Sequence, residues 1–161
     1  AVANAEAVTV RLPDGRETRA RVVGHDEPSG IAVLKLDDSA GLAALAWSEA
    51  APGLGDPVYA LGHPFGLGPV ATQGMLGGRL VPGAGGDDAD VIPRELLVAD
   101  APIARGFAGG PLLDAQGRVA GLLDLLLQGT TDRGLTLAVP APVVRDVARQ
   151  ILEHGRVRRA W

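Results

Sequence analysis

Short alternating stretches, each closed by glycine, proline or aspartate, constrain the fold of this chain more than any other feature. Residues 8–12 read Val-Thr-Val-Arg-Leu and are followed by Pro-Asp-Gly, a strong turn signal. Because successive side chains of a strand point to opposite faces, this alternation predicts β-structure. Residues 18–23 alternate in the same way, and further candidate strands, short and bounded by turn residues, occupy residues 31–36, 58–61, 70–80, 96–99, 111–114, 119–127 and 135–139. We therefore predict three strands, a connector at 38–56 and six further strands.

Only the last part of the chain has helical spacing. Pro142 opens it, apolar residues recur three and four positions apart up to residue 152, and Gly155 follows as a C-terminal cap. The sequence thus predicts an all-β fold with one C-terminal helix at about 142–154. The barrel is expected to span residues 57–139.

Composition excludes several classes of protein. The 161 residues are 47% hydrophobic, which suits one globular domain with a core. A net charge of −4 without a basic block argues against a nucleic-acid partner, and Arg156, Arg158 and Arg159 form a solvated terminus or linker. The absence of cysteine excludes disulfides, thiol catalysis and zinc–thiolate sites. No apolar run reaches the roughly 18 residues of a membrane helix, and no cofactor motif is present.

Five segments form a recognisable pattern together. Residues 29–34 read Ser-Gly-Ile-Ala-Val-Leu, and residues 61–66 read Leu-Gly-His-Pro-Phe-Gly. Residues 99–112 read Ala-Asp-Ala-Pro-Ile-Ala-Arg-Gly-Phe-Ala-Gly-Gly-Pro-Leu, followed by a predicted hairpin at 114–121 and by residues 135–140 before the helix. In this order they resemble the HtrA-type (high-temperature-requirement) trypsin-like serine proteases. In that family the catalytic serine lies in the pattern Asp-Ala-x-Ile-x-x-Gly-x-Ser-Gly-Gly-Pro-Leu.

Two positions depart from the family pattern. Gly30 stands where the resemblance places the catalytic aspartate, and Ala108 stands where it places the nucleophilic serine. The family's catalytic histidine is expected just before Ala1. Acyl transfer by this fold needs a nucleophile, an imidazole and a carboxylate that orients it. No triad residue is therefore intact here, and we expect no peptidase activity.

The resemblance implies a double β-barrel whose first barrel is incomplete. We expect residues 1–50 to form a remnant of the first barrel with the connector, and residues 51–155 to form the second barrel and the helix. Residues 156–161 resemble the start of a linker to a PDZ domain. A bare three-stranded remnant would leave unpaired edges. We therefore expect an oligomer, or strands supplied by another segment, and a periplasmic or other extracytoplasmic location.

The binding half of the family's site is predicted to survive. The backbone of Gly106, Phe107 and Ala108 would keep the oxyanion donors, which do not depend on the side chain at residue 108. By resemblance, the segment Leu123, Asp124, Leu125, Leu126 and Leu127 would pair with a peptide or an unfolded protein segment. Most of these leucines are expected to fill the core. The ring of Phe107 is expected to lie across the pocket mouth.

Other polar residues are interpreted as structural. None of Ser29, Ser39 and Ser48 lies in a nucleophile elbow, and Ser29 belongs to a turn. We interpret His25 as an exposed residue at the end of a strand and His63 as a structural residue of a turn. His154 lies in the last helical turn, where a positive charge is favourable. Asp87, Asp88 and Asp90 do not match a calcium loop. We expect no metal and no cofactor.

Three hypotheses about function remain open at this stage. The first is a pseudoprotease that binds peptides or acts as a scaffold. The second is a serine endopeptidase of protein quality control, inert as an engineered variant or a fragment. The third is a structural domain that mediates oligomer contacts.

Overall fold

The computed structural model of the chain describes residues 5–66, 68–81, 95–124 and 134–158. The structure divides into two compact units. The first comprises residues 1–44 together with 145–161, and the second comprises residues 45–144. Within the described residues, no helix combines the length and the apolar character needed to cross a membrane.

The first unit contains a three-stranded antiparallel sheet in the order β1-β2-β3. Its strands are β1 Ala7–Arg11, β2 Glu17–Asp26 and β3 Ile31–Leu36. The predicted Pro-Asp-Gly turn joins β1 to β2, with Gly15 at φ 86°, a backbone angle that favours glycine. The register pairs Val8 with Ala20 and Ala20 with Leu36, so these apolar side chains share one face. The pairing of Arg21 with Lys35 assigns charged residues to the other face.

The second unit is a closed six-stranded barrel in the order β4-β5-β6-β9-β8-β7, with β7 pairing back to β4. Its strands are β4 Pro57–Gly62, β5 Val70–Leu80, β6 Leu96–Ala99, β7 Pro111–Leu113, β8 Val119–Asp124 and β9 Thr136–Pro140. Within the described residues, the pairings between these six strands are all antiparallel. The predicted all-β fold, with its barrel at about 57–139, is thereby confirmed.

The interior of the barrel combines small and large side chains. Ala60, Ala99 and Ala138 are fully buried, and they pack beside Leu76, Leu97, Leu112 and Leu123 in one continuous cluster. Such interdigitation is how a small barrel fills its interior without a channel.

The C-terminal helix, α1, spans Ala141–His154. Val144, Val147 and Ile151 are buried at spacings of three and four, as the sequence predicts. Gly155 has φ 72°, and its N–H donates to the Ile151 carbonyl at 2.8 Å, which ends the helix. In the first unit, a Cβ at Gly24 would lie 2.9 Å from Ile151 Cγ2, so glycine lets the helix approach β2 closely.

Candidate functional site

The segment between β6 and β7 turns twice before it enters β7. The N–H of Phe107 donates to the Ala104 carbonyl at 3.1 Å, and the N–H of Gly110 donates to the Phe107 carbonyl at 2.8 Å. Gly106 and Gly109 have φ values of 104° and 80°, a region that residues with a Cβ rarely adopt. The glycines that the sequence places here are thus required by the two turns. We call residues 104–110 the site loop.

Phe107 anchors the site loop inside the barrel. Its side chain is only 2% exposed and belongs to the core cluster with Val58, Leu76 and Leu112. The prediction that the ring lies across a pocket mouth was wrong. The turns direct the ring inward, and Gly62 makes room for it, since a Cβ at Gly62 would overlap the ring and lie 2.7 Å from Phe107 Cα.

The end of β4 backs the site loop. The His63 N–H donates to the Gly106 carbonyl at 2.9 Å. A Cβ at Gly106 would overlap the His63 carbonyl, and one at Gly110 would overlap the Leu61 carbonyl. Backbone therefore packs directly on backbone along this side of the loop.

Strand β8 holds the other side of the site loop. The Gly109 N–H donates to the Leu123 carbonyl at 3.0 Å, and the Leu123 N–H donates to the Gly110 carbonyl at 2.8 Å. The structure thus brings Leu123 together with the loop, while its side chain is 2% exposed within the core. Asp124 is also buried. The remaining predicted binding residues, Leu125, Leu126 and Leu127, lie outside the described residues.

Two polar contacts that hold the segment before the site loop were not predicted from the sequence. Asp100 Oδ1 accepts a hydrogen bond from the Met75 N–H at 2.6 Å. The buried Thr136 hydroxyl donates to the Ala101 carbonyl. The sequence signal for the second contact is the hydroxyl of Thr136 in an otherwise apolar strand, because a buried hydroxyl needs a hydrogen-bond partner.

The outer surface of the site loop offers hydrogen-bond donors. Gly106, Ala108 and Gly109 are exposed. The N–H groups of Gly106 and Ala108 donate to no acceptor in the part of the chain that the structure describes. The side chain at residue 108 is a methyl group and carries no nucleophile.

Gly30 closes the turn between β2 and β3 in the first unit. It is exposed, has φ 67°, and its N–H donates to the Glu27 carbonyl at 3.1 Å. The preceding residue serves the same turn, since the Ser29 N–H donates to Asp26 Oδ2 at 3.0 Å and its hydroxyl donates to the Asp26 carbonyl. Residue 30 thus supplies no carboxylate, and Ser29 belongs to a turn as predicted.

The other serines and histidines do not assemble with the site loop into a catalytic group among the described residues. Ser39, His25 and the side chain of His63 are exposed. His154 lies in the last turn of α1, with Nε2 3.8 Å from Glu153 Oε2. Within the described ranges, no three His, Cys, Asp or Glu residues are grouped as a metal site. Asp87, Asp88 and Asp90 lie outside those ranges.

A buried carboxylate organises the hairpin after β7. Asp114 Oδ2 accepts from the Ser48 hydroxyl at 2.7 Å and from Arg118 Nε at 2.9 Å, and Oδ1 accepts from two backbone N–H groups at 2.9 Å. Burial alone raises the pKa of Asp114, but these hydrogen bonds outweigh it and hold the pKa below its usual value. Asp114 lines a cleft of about 290 Å³. Because its oxygens are already satisfied by the protein, its role there is structural.

Comparison with known proteins identifies the class to which this fold and loop belong. The sequence profile of the trypsin-like peptidase domain matches residues 1–122, and the chain belongs to that family. The periplasmic serine endoprotease DegP of Escherichia coli is 32% identical over 160 residues, covering 98% of this chain and 33% of DegP. The periplasmic pH-dependent serine endoprotease DegQ of the same organism is 32% identical over 157 residues, covering 96% of this chain and 34% of DegQ.

Solved structures agree with this assignment. The HtrA-type protease AlgW with decapeptide has a TM-score of 0.84 and 32% identity, covering 99% of this chain and 48% of that chain. The serine endoprotease from Yersinia pestis has a TM-score of 0.77 and 31% identity, covering 96% of this chain and 52% of that chain. Within the trypsin-like family the chain is therefore a domain of the HtrA type. It spans about one third of the length of the curated relatives and about half of the solved chains.

Proposed function

We propose that this chain is an HtrA-type protease domain that no longer hydrolyses peptides and retains a peptide-binding surface on its second barrel. The observation that carries the proposal is the site loop. Its exposed Ala108 has no hydroxyl, while the Gly106 and Ala108 N–H groups meet no acceptor among the described residues. Chemistry and binding are separable in this fold, since backbone donors do not require the nucleophile.

The loss of hydrolysis rests on two positions. Ala108 removes the attacking oxygen, and Gly30 removes the carboxylate that would orient an imidazole. In a serine protease of another fold, loss of the nucleophile alone lowers turnover about 10⁶-fold. What remains is the weak acceleration that oriented donors provide without a nucleophile.

The retained binding surface combines the loop with the strand beside it. We assign the oxyanion-type donors to Gly106 and Ala108, with Phe107 as the residue that anchors them. Leu123 and Asp124 begin the segment that we assign to strand pairing with a peptide, continued by residues 125–127. Leu123 already uses its N–H and its carbonyl in hydrogen bonds to the loop, so pairing with a peptide would fall on the part of this segment that follows it. Support for peptide binding comes from the related protease solved with a decapeptide.

Several wider properties belong to the same proposal. The named relatives are periplasmic proteases, and we propose an extracytoplasmic location for this chain. By family resemblance we also propose a role in protein quality control, an oligomeric assembly, and a PDZ domain after the linker at 156–161. The division into 1–50, 51–155 and 156–161 is part of this proposal.

Peptide titration followed by backbone amide NMR tests the proposal. A peptide with an apolar residue at the pocket position is expected to bind in the millimolar to micromolar range, about −4 to −8 kcal/mol. Shifts should centre on Gly106, Ala108, Leu123 and Asp124. If no shift appears there at millimolar peptide, the peptide-binding function is wrong and a purely structural domain is favoured.

A further inference from the structure

We infer that the site loop binds the free C-terminal carboxylate of a peptide in preference to the carbonyl oxygen of an internal peptide bond. This inference rests on the proposed peptide-binding function and names its ligand more narrowly. It follows from three properties of the loop, namely its donors, its local charge and its rigidity.

The donors suit an ionised ligand that has two oxygens. The N–H groups of Gly106 and Ala108 lie two residues apart on exposed backbone, and neither meets an acceptor among the described residues. The intervening N–H of Phe107 already donates to the Ala104 carbonyl at 3.1 Å, which leaves the two flanking N–H groups as the donors of this turn. Hydrogen bonds to an ionised acceptor are about twice as strong as those to a neutral carbonyl.

With alanine at residue 108, the site loop has less reason to bind an internal peptide bond rather than a free carboxylate. In an active protease the nucleophile must reach the carbonyl carbon, so the donors are used on a carbonyl under attack. Here residue 108 carries only a methyl group. No hydroxyl from this residue competes for the donors or for the second oxygen of a carboxylate.

The charge of the site loop itself also favours an anion, although the whole chain carries −4. Between Asp100 and Asp114 the only charged residue is Arg105, which is exposed and forms no ion pair with a described residue. The Asp100 Oδ1 atom already accepts from the Met75 N–H at 2.6 Å. Asp124, the acid that follows Leu123, is buried. The loop therefore presents one cation and no acidic side chain of its own.

The loop is held in shape before any ligand arrives. The buried Phe107 ring fixes it from within, and close backbone packing at Gly106 and Gly110 fixes it from the side of β4. Hydrogen bonds to Leu123 hold the side of β8. A preformed pair of donors loses little ordering entropy on binding, which favours a small charged group with few other contacts.

Two peptides of identical sequence, each ending in valine, test the inference. One has a free C-terminal carboxylate and the other a C-terminal amide, and affinities are measured by titration with ¹⁵N amide shifts as the readout. We expect the free acid to bind at least about 10-fold more tightly, with its largest shifts at Gly106 and Ala108. Equal affinities with shifts at these residues would overturn the inference and leave the peptide-binding function standing. If neither peptide binds at millimolar concentration, the proposed function itself fails.

A matched pair of variants at the exposed residue 108 gives a second readout. Ala108→Asp places a carboxylate beside the donors, whereas Ala108→Asn adds a side chain of the same size without charge. We expect Ala108→Asp to weaken the free acid at least about 10-fold more than Ala108→Asn does, while the amide peptide responds equally to both. Equal responses of the free acid to the two variants would contradict the inference, provided that both spectra retain the dispersion of the folded chain.

Discussion

Phe107→Ala should destabilise the fold strongly, although residue 107 is adjacent to the position where the family has its nucleophile. A buried aromatic side chain removes about 150–250 Å² from water, which at about 25 cal/mol per Å² corresponds to roughly 4–6 kcal/mol. Alanine keeps part of this, and phenylalanine-to-alanine changes in cores lose about 3–5 kcal/mol. With Phe107 only 2% exposed, we expect a loss in that range.

The other phenylalanine of the chain is the matched control. Phe65 is 77% exposed and has φ 55°. Because alanine retains a Cβ, Phe65→Ala keeps the backbone strain and should change the free energy of unfolding by about 0.5 kcal/mol or less. Urea unfolding followed by far-ultraviolet circular dichroism measures both.

A milder variant keeps the prediction testable if Phe107→Ala does not fold. Phe107→Leu keeps most of the apolar volume and should lose about 1–2 kcal/mol. If Phe107→Ala and Phe65→Ala differ by less than about 1 kcal/mol, the ring does not anchor the loop in the core, and the rigidity argued for the site loop is wrong.

Three further predictions concern the packing, charge and chemistry of the second unit. Gly110→Ala should destabilise the barrel by about 1–3 kcal/mol, because the added Cβ overlaps backbone. Gly77→Ala should be tolerated, since a Cβ there would lie 3.7 Å from its nearest neighbour. Equal unfolding midpoints of the two variants would contradict this prediction. Asp114→Asn should lose about 1–3 kcal/mol at neutral pH. The folded state holds the pKa of Asp114 below the ordinary aspartate value of about 3.9, so the deficit should be full above that pH and shrink as the pH falls below it. A deficit independent of pH would refute this prediction. Ala108→Ser should not restore casein hydrolysis, because Gly30 still lacks the carboxylate that orients the imidazole. Loss of that carboxylate alone lowers turnover about 10⁴-fold. If this variant hydrolysed casein at a rate close to that of active family members, the interpretation of residue 30 would be wrong.

The strands were predictable because their signals are local. Strands β3, β5 and β6 have the bounds that the short apolar stretches and the turn residues beside them indicate. The helix begins one residue before its predicted start. The connector was harder to read. Trp47 forms an isolated parallel bridge with Val119 inside the second unit, a pairing between residues far apart in sequence that no local pattern encodes.

The candidate site residues were named from the family resemblance, and their packing could not be predicted from the sequence. Gly106 and Gly109, which flank Ala108, adopt the positive φ angles of the two turns. The direction of the Phe107 ring depends on the space left by Gly62, a residue more than 40 positions earlier. The hydrogen bond from Thr136 to Ala101 likewise joins separate elements. Long-range contacts of this kind follow from the closed barrel and not from the composition of the loop.

Incubation of the chain with casein, followed by mass spectrometry of new peptide termini, tests the central claim most directly. The account predicts no cleavage above a buffer blank, because neither Ala108 nor Gly30 supplies the chemistry of acyl transfer. Cleavage products that accumulate at a rate proportional to the concentration of the purified chain would contradict it.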